Sequence, residues 1–237
     1  MRELEISLPA SYAAARTRLL PNRRQATVAV SLMSFGRSVA VYKPTQAGLE
    51  NGEGDIDVVR RLTGAEAHEG IRLPNPMAPV AAAQLAGITL PAADEHSLTI
   101  RKLATEQDHT LVEGAGGILV QLDQNGDTLA DIAAATADAD RASTTSSDTL
   151  GVLIVCRAAL GTLNHTEFTV EALTHRGVPI LGLVIRSWPR EPTAVDLSNR
   201  EYLGNHAVPP LGAVPEQDGD LQPAQFRAAA RDWFRVA

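Results

Sequence analysis

Four apolar runs rich in Val, Leu and Ile recur along the chain, and stretches with helical spacing lie between them. Runs of this kind are typical of strands that are buried on both faces of a parallel sheet. The predicted strands are SVAVYKP (38–44), HTLVEGAGG (109–117), GVLIVCR (151–157) and VPILGLVIRSW (178–188), with LEISL (4–8) as a weaker candidate for a first strand. The predicted helices are 55–64, 78–87, 95–107, 165–177 and 223–236. Strands that alternate with helices predict an α/β fold, with a single doubly wound, mostly parallel sheet flanked by helices.

The length and composition predict one domain that spans residues 1–237, since 44% of the residues are hydrophobic and a chain of this size can bury one large core. Cys156 is the single cysteine and lies within an apolar run, which predicts a small buried side chain. The polar stretch DADRASTTSSDTL (138–150) predicts a mobile surface loop.

The charge and hydropathy patterns argue against two classes of partner. The formal net charge is −7 and no basic run exceeds two residues, which argues against nucleic acid as a ligand. No segment reaches the roughly 18 apolar residues of a membrane span, so no membrane association is expected. The N-terminal stretch MRELEISLPASY lacks the apolar region of a signal peptide. These patterns predict a cytoplasmic protein.

The stretch TLVEGAGG combines an acid with a glycine-rich turn. Glu113 follows Leu111 and Val112, so we expect it to leave the end of a buried strand and to point into the ligand crevice of the sheet. The glycines that follow allow backbone amides to approach a bulky anion. A Mg²⁺ ion held by one or two carboxylates and by phosphate oxygens fits such a site. A plain glycine-rich turn with a solvated Glu is the alternative.

Two further segments carry candidate site residues. Lys43 ends a predicted strand, where it either reaches a negative group or lies at the surface. Asp55 and Asp57 lie at the start of a predicted helix, where an acid either binds metal or caps the helix. GTLNHT (161–166) precedes another predicted helix, and its residues either meet an anion or cap that helix through Thr162 or Asn164.

Six motifs in one order and spacing resemble those of the dethiobiotin synthetases, ATP-dependent enzymes of biotin synthesis in the P-loop NTPase superfamily. The motifs are VYKPTQAG, GEGD, PMAP, VEGAGG, GTLNHT and VPPLGAVPE, within a resemblance that covers about residues 36–235 and is strongest to actinobacterial members. The resemblance implies ring closure of 7,8-diaminononanoate with CO₂ and ATP, through a carbamate and a carbamic–phosphoric anhydride. It also implies a homodimer.

The resemblance also implies roles for individual residues. Lys43 would be catalytic, and Asp55 and Glu113 would hold Mg²⁺. The residues implied in substrate binding are Thr45, Gly114, Ala115, Gly116, Gly117, Thr162, Leu163 and Asn164. The residues that fall where the family holds adenine are Arg186, Ser187, Pro215 and Glu216, with Arg186 or Ser187 in place of a family Asn.

The front of the chain departs from the family. The family opens with a strand and GTxTGxGKT, the loop that wraps the phosphates. An ungapped count places that loop at residues 14–22, which read AARTRLLPN, with Pro21 in place of the lysine and Asn22 in place of the hydroxyl that binds Mg²⁺. Residues 1–25 are therefore atypical. A homologue that lost this loop and a pair of compensating shifts of the reading frame are both open explanations.

Three functions remain open on these observations. The leading one is dethiobiotin synthesis. The second is a catalytically inactive homologue that binds a small carboxylate or partners an active subunit. The third is an ATPase of the same superfamily that positions itself on membrane or DNA, for which residues 223–236 offer only a weak membrane helix.

Overall fold

The structure is a computed structural model that describes residues 11–16, 23–48, 53–142, 150–216 and 221–233. Its seven described strands form one sheet in the order β3-β2-β4-β1-β5-β6-β7. The strands are β1 (Ser11–Arg16), β2 (Val39–Ala47), β3 (Glu66–Leu73), β4 (His109–Glu113), β5 (Leu150–Arg157), β6 (Ile180–Trp188) and β7 (Pro210–Pro215). Every pairing between neighbouring strands is parallel, which confirms the predicted fold class.

Helices connect the strands and cover both faces of the sheet. They are α1 (Arg23–Ser34), α2 (Asp55–Thr63), α3 (Pro79–Ala86), α4 (Ala93–Glu106), α5 (Leu129–Ala142), α6 (Thr162–His175), α7 (Ala194–Gly204) and α8 (Pro223–Ala230). Because side chains alternate along a strand, each buried strand contributes side chains to two hydrophobic cores, one on each face of the sheet. On one face, Val41, Leu111 and Leu153 pack with α1, α2 and α8, and we call this the α1 face. On the other, Val112 and Ile154 pack with α4, α5, α6 and α7, and we call this the α4 face.

The four apolar runs all become strands, but three strands were not predicted. β1 lies at the centre of the sheet, between β4 and β5, and the weaker candidate at 4–8 lies outside the described residues. β3 and β7 are the two edge strands. Edge strands have one exposed side and are often polar or proline-containing, so the sequences EAHEGIRL and PLGAVP lack the apolar signal of a central strand.

The predicted surface loop at 138–150 is wrong for part of its length. Helix α5 continues to Ala142, and Leu150 already belongs to β5, while residues 143–149 lie outside the described part of the chain. The α5 sequence is rich in alanine, which has the highest helix propensity, and Ala133 and Ala137 are buried against the core. Cys156 is 1% exposed as expected, and burial raises the pKa of its thiol to about 11.

Candidate functional site

A lysine and two carboxylates meet where β2 and β4 end. Lys43 Nζ lies 2.5 Å from Asp55 Oδ2 and 3.8 Å from Glu113 Oε1. It also donates a hydrogen bond of 3.2 Å to the carbonyl of Gly114. The lysine side chain is only 2% exposed, so its charge is held away from bulk water and opposite charges are close to it.

The sheet itself brings Lys43 and Glu113 together. β2 and β4 are neighbours, with Tyr42 and Val112 as register partners, so the next pair of residues lies side by side. Tyr42 and Val112 belong to the α4-face core, and side chains alternate along a strand, so Lys43 and Glu113 face the α1 side.

Asp55 reaches the same point from helix α2, of which it is the first residue. Its backbone N–H donates to Gln46 Oε1 over 2.9 Å, while Gln46 Nε2 donates to the carbonyl of Gly48 over 2.9 Å. Gln46 thereby fixes the start of α2 relative to β2. Sequence reasoning missed this positioning role, although Gln46 lies within the KPTQAG motif that it singled out.

Asp57, the second acid predicted at this helix start, belongs elsewhere. Its carboxylate accepts hydrogen bonds from the backbone N–H of Gly54 and from the Arg72 guanidinium. The Gly54 N–H and then Arg72 lower the pKa of Asp57 below its usual value. Asp57 therefore caps α2, whereas Asp55 pairs with Lys43.

Thr45 lies two residues beyond Lys43 on β2 and faces the same side of the sheet. It is fully buried, and its hydroxyl has no hydrogen-bond partner within the described part of the chain. A buried hydroxyl without a partner is costly, so this position suits a ligand that supplies one.

The glycine-rich turn after Glu113 is closely packed. A Cβ at Gly114 would lie 2.9 Å from Leu129 Cδ2, and Gly116 has a φ of +87°, which favours glycine. Ala115 is half-buried against the α4-face core, while Gly116 is exposed and Gly117 is half-buried. The Gly114 carbonyl of this turn accepts the hydrogen bond from Lys43 Nζ, so the turn lies directly against the lysine.

The GTLNHT segment differs from its prediction. Thr162, Leu163 and Asn164 do not precede the helix; they form the first turn of α6, and Gly161 is its N-cap without a side-chain cap bond. Capping by Thr162 or Asn164 is therefore wrong. Thr162 Oγ1 instead accepts a hydrogen bond of 3.2 Å from the backbone N–H of Arg157.

The four residues predicted to bind the nucleotide lie together near the β7 edge of the sheet, on β6, on β7 and directly after β7. Arg186 and Ser187 come just before Trp188, the last residue of β6, and Pro215, the last residue of the neighbouring β7, pairs with Trp188. The backbone N–H of Glu216 donates to the Trp188 carbonyl over 2.9 Å. Arg186 is 3% exposed. The strands β1 and β5 lie between this group, on β6 and β7, and the Lys43 group at the ends of β2 and β4.

The carboxylate pair suits a hard cation. Among the described residues, no group of three or more His, Cys, Asp and Glu side chains could hold a metal ion by itself. Mg²⁺ commonly takes only one or two protein carboxylates and completes its shell with water and phosphate oxygens. Asp55 and Glu113, which both lie within ion-pair distance of Lys43, are the two carboxylates that could contribute to such a shell.

Comparisons with known proteins identify the family of this chain. An AAA domain family matches residues 26–224. The ATP-dependent dethiobiotin synthetase BioD of Streptomyces coelicolor is 45% identical over 88% of this chain and 84% of its own length. BioD of Mycobacterium avium is 42% identical over 88% of this chain and 89% of its own length.

Among solved structures, the cell division ATPase MinD of Pyrococcus furiosus is similar with a TM-score of 0.54 at 14% identity, over 94% of this chain and 97% of that one. That likeness concerns the fold alone, which is the P-loop NTPase fold. No helix in the described ranges has the length and apolar character needed to cross a membrane. With a dethiobiotin synthetase similar to it over most of both chains, the protein belongs to the family of ATP-dependent dethiobiotin synthetases.

Proposed function

We propose that this chain closes the ureido ring of dethiobiotin from 7,8-diaminononanoate, CO₂ and ATP. The observation that carries the proposal is the buried Lys43 ammonium between Asp55 and Glu113, at the carboxyl ends of neighbouring strands. In open α/β sheets this edge is where ligands bind. Family membership supports the same activity.

The reaction proceeds through two intermediates formed on one amine, a carbamate and then a carbamic–phosphoric anhydride. The first amine adds to CO₂ and loses a proton, which forms a carbamate. A carbamate oxygen then attacks the γ-phosphorus of ATP, and ADP leaves. The second amine attacks the carbonyl carbon of this mixed anhydride, the new C–N bond closes the ring, and phosphate and a proton leave.

Lys43 stabilises the negative charge that develops during these reaction steps. Its ammonium is desolvated, and electrostatic interactions are stronger in such a place than in water. In the proposal it faces the carbamate and then the transferring phosphoryl group. Thr45 offers its buried hydroxyl to the same substrate atoms, and Gly114, Ala115, Gly116 and Gly117 line the pocket with backbone groups.

Asp55 and Glu113 would hold the Mg²⁺ ion that accompanies ATP. When bound, Mg²⁺ neutralises charge on the phosphate oxygens during transfer. With no metal bound, the same two carboxylates hold the Lys43 side chain in place, and Gln46 holds the start of α2 that carries Asp55.

The two remaining groups of residues bind the ends of the substrates. Thr162, Leu163 and Asn164 present the first turn of α6, whose backbone N–H groups favour the carboxylate of diaminononanoate. Arg186, Ser187, Pro215 and Glu216 hold the nucleotide at the ends of β6 and β7.

A homodimer is part of the proposal. Leu160 is 86% exposed and Phe168 is 60% exposed, and both lie next to the first turn of α6. A second copy that covers these side chains would enclose the carboxylate end of the substrate. Sedimentation of the purified chain tests this association, and a monomer at micromolar concentration would contradict it. The cytoplasmic location likewise remains a prediction.

The inactive homologue is the second candidate function, because residues 17–22 read TRLLPN and contain no glycine and no lysine. One experiment separates the two. The chain is incubated with 7,8-diaminononanoate, bicarbonate, ATP and Mg²⁺. Dethiobiotin is then measured by mass spectrometry, and released phosphate is measured with a colorimetric assay. We expect both products from the wild-type chain and neither from Lys43→Met.

Rescue of a biotin-requiring strain that lacks this step provides the cellular counterpart. Calorimetry with ATP and Mg²⁺ shows whether the nucleotide binds at all. If no heat, no phosphate and no rescue are observed, the synthetase function is wrong for this chain and the inactive homologue is favoured.

A further inference from the structure

An asparagine on α7 donates two hydrogen bonds to the turn that precedes α6. Nδ2 of Asn199 lies 2.7 Å from the carbonyl oxygen of Ala158 and 3.2 Å from that of Ala159. These two alanines follow β5, which ends at Arg157, and lead into α6, which begins at Thr162. Asn199 therefore joins α7 to a turn from a different part of the chain, since it lies 40 residues after Ala159.

The burial of Asn199 is not explained by its own helix. The buried residues of α7 are Asp196, Asn199 and Leu203, which recur at the spacing of one helix face. Asp196 caps the helix through Thr193, and Leu203 packs in the α4-face core. The Asn199 amide is 7% exposed and contacts only the turn. A buried amide is costly unless it is hydrogen-bonded, and an apolar side chain would suit plain packing, so the amide indicates that the turn geometry is specified.

The turn is also held by hydrogen bonds to residues next to it in the chain. The Ala159 carbonyl accepts a second hydrogen bond of 3.3 Å from the backbone N–H of Thr162, and Thr162 Oγ1 accepts one from the Arg157 N–H. Gly161 has a φ of +87°, a conformation that favours glycine. Within the described ranges, Asn199 supplies the only side-chain hydrogen bonds that reach residues 158–161 from outside β5 and α6.

The contacts of Asn199 also determine where two backbone N–H groups point. In a trans peptide, the carbonyl of one residue and the N–H of the next point in opposite directions. The N–H groups of Ala159 and Leu160 therefore face away from α7, and neither donates a hydrogen bond within the part of the chain that the structure describes. Both residues are exposed and lie beside the first turn of α6, whose leading N–H groups have no acceptor within the helix.

We infer that Asn199 is a positioning residue, which holds the turn between β5 and α6 in the conformation that receives the carboxylate of 7,8-diaminononanoate. The inference rests on the proposed function and names a residue on which its substrate selectivity depends. Without the amide, the carbonyls of Ala158 and Ala159 lose a donor and can rotate toward the end of α6, where their negative ends would oppose an anion. Asn199 acts through the backbone of the turn and not through a contact with the substrate.

The test compares the affinities for 7,8-diaminononanoate and for its methyl ester, which keeps both amines and lacks the carboxylate charge. Calorimetry measures both ligands with the wild-type chain and with Asn199→Asp, whose side chain has the same shape without the N–H donors. We expect the wild-type chain to bind the acid more tightly than the ester. The variant should lose about 10-fold of this preference, since two buried carbonyls lose their donor, and it should bind the ester as the wild-type chain does.

Asn205→Asp is the matched control, because Asn205 is an exposed asparagine at the end of the same helix. It adds the same charge to α7 and should keep the wild-type preference. Asn199→Ala removes the donors without adding a charge, and it decides the outcome if Asn199→Asp does not fold. In the product assay, Asn199→Ala should raise the KM for diaminononanoate by about 10-fold and keep kcat within about twofold of wild type.

Three results overturn the inference. The first is a wild-type chain that binds the acid and the ester equally well. The second is a folded Asn199 variant that keeps the preference for the acid. The third is an equal loss of affinity for both ligands, which shows that Asn199 supports the structure in general and not the carboxylate site.

The dethiobiotin assay keeps this inference separate from the proposed function. Dethiobiotin formation with an unchanged preference for the acid in the Asn199 variants removes the positioning role and leaves the synthetase. An Asn199-dependent preference for the acid without any dethiobiotin leaves the positioning role and removes the synthetase.

Discussion

Lys43 Nζ lies 2.5 Å from Asp55 Oδ2, and the lysine side chain is 2% exposed. A buried ion pair rarely improves stability over an apolar pair of similar size, because both charges lose their hydration. Its position at the edge where parallel sheets bind ligands supports the proposed role of Lys43 in binding negative charge.

Replacing Lys43 by Met should abolish synthesis and also weaken the fold. The change leaves the Asp55 and Glu113 carboxylates without their shared cation, and breaking a buried pair from one side costs about 3–5 kcal/mol. We expect dethiobiotin formation to fall by at least about 10²-fold. Urea unfolding and the product assay measure the two effects. Lys102→Met on the exposed surface of α4 is the control, and an active Lys43→Met variant would contradict the assigned role.

Asp55→Asn and Glu113→Gln should each raise the Mg²⁺ concentration needed for half-maximal activity by about 10-fold or more. Asp57→Asn is the matched control, because it changes an acid in the same helical turn that caps α2 through Gly54. The control should lose about 0.5–1 kcal/mol of stability and keep its Mg²⁺ requirement. If activity depends on the Mg²⁺ concentration in the same way in all three variants and in the wild-type chain, Asp55 and Glu113 do not bind the metal.

Gly114→Ala should disturb the lysine through the backbone. The new Cβ would lie 2.9 Å from Leu129 Cδ2 and 3.3 Å from Leu129 Cβ, and the Gly114 carbonyl accepts the Lys43 hydrogen bond. We expect a loss of about 1–3 kcal/mol together with reduced activity. Gly87→Ala, with a φ of +66° and no neighbour within 4 Å, should cost about 1 kcal/mol and leave activity unchanged. Full activity of Gly114→Ala would show that this turn tolerates a side chain.

A buried histidine should make the stability of the fold depend on mildly acidic pH. The imidazole of His96 is 2% exposed, and its Nδ1 lies 2.7 Å from the hydroxyl of Tyr42. Burial lowers the pKa of His96 and raises the pKa of Tyr42 to about 12. The unfolded chain takes up a proton at His96 near pH 6.5, whereas the folded chain takes it up only at lower pH.

The free energy of unfolding should therefore be unaffected by His96 above about pH 6.5 and fall below it, by at most about 1.4 kcal/mol per pH unit. Urea unfolding at several pH values between 5 and 8 measures this slope for the wild-type chain and for His96→Gln. The variant should lack this part of the slope, since the carboxylates titrate alike in both proteins. Identical slopes would show that His96 is protonated equally in the folded and unfolded chains.

The local pattern of apolar and charged residues predicted much of the fold and part of the candidate site. Buried parallel strands need apolar side chains on both faces, so their runs are visible without any partner. A charged residue at the end of such a run must leave the core at the ligand edge, which is why Lys43 and Glu113 could be identified. The edge strands β3 and β7 had no such signal, because one side of each is exposed.

The sequence by itself determined the class of fold, the family motifs and the residues at the strand ends. Only the tertiary structure decided which of those residues are neighbours. The choice of Asp55 over Asp57 depends on Gln46 and Arg72. The contact of Asn199, which follows β6, with Ala158, which follows β5, depends on β5 lying next to β6. Lateral strand order arises from contacts between residues distant in the chain, and no local spacing encodes it.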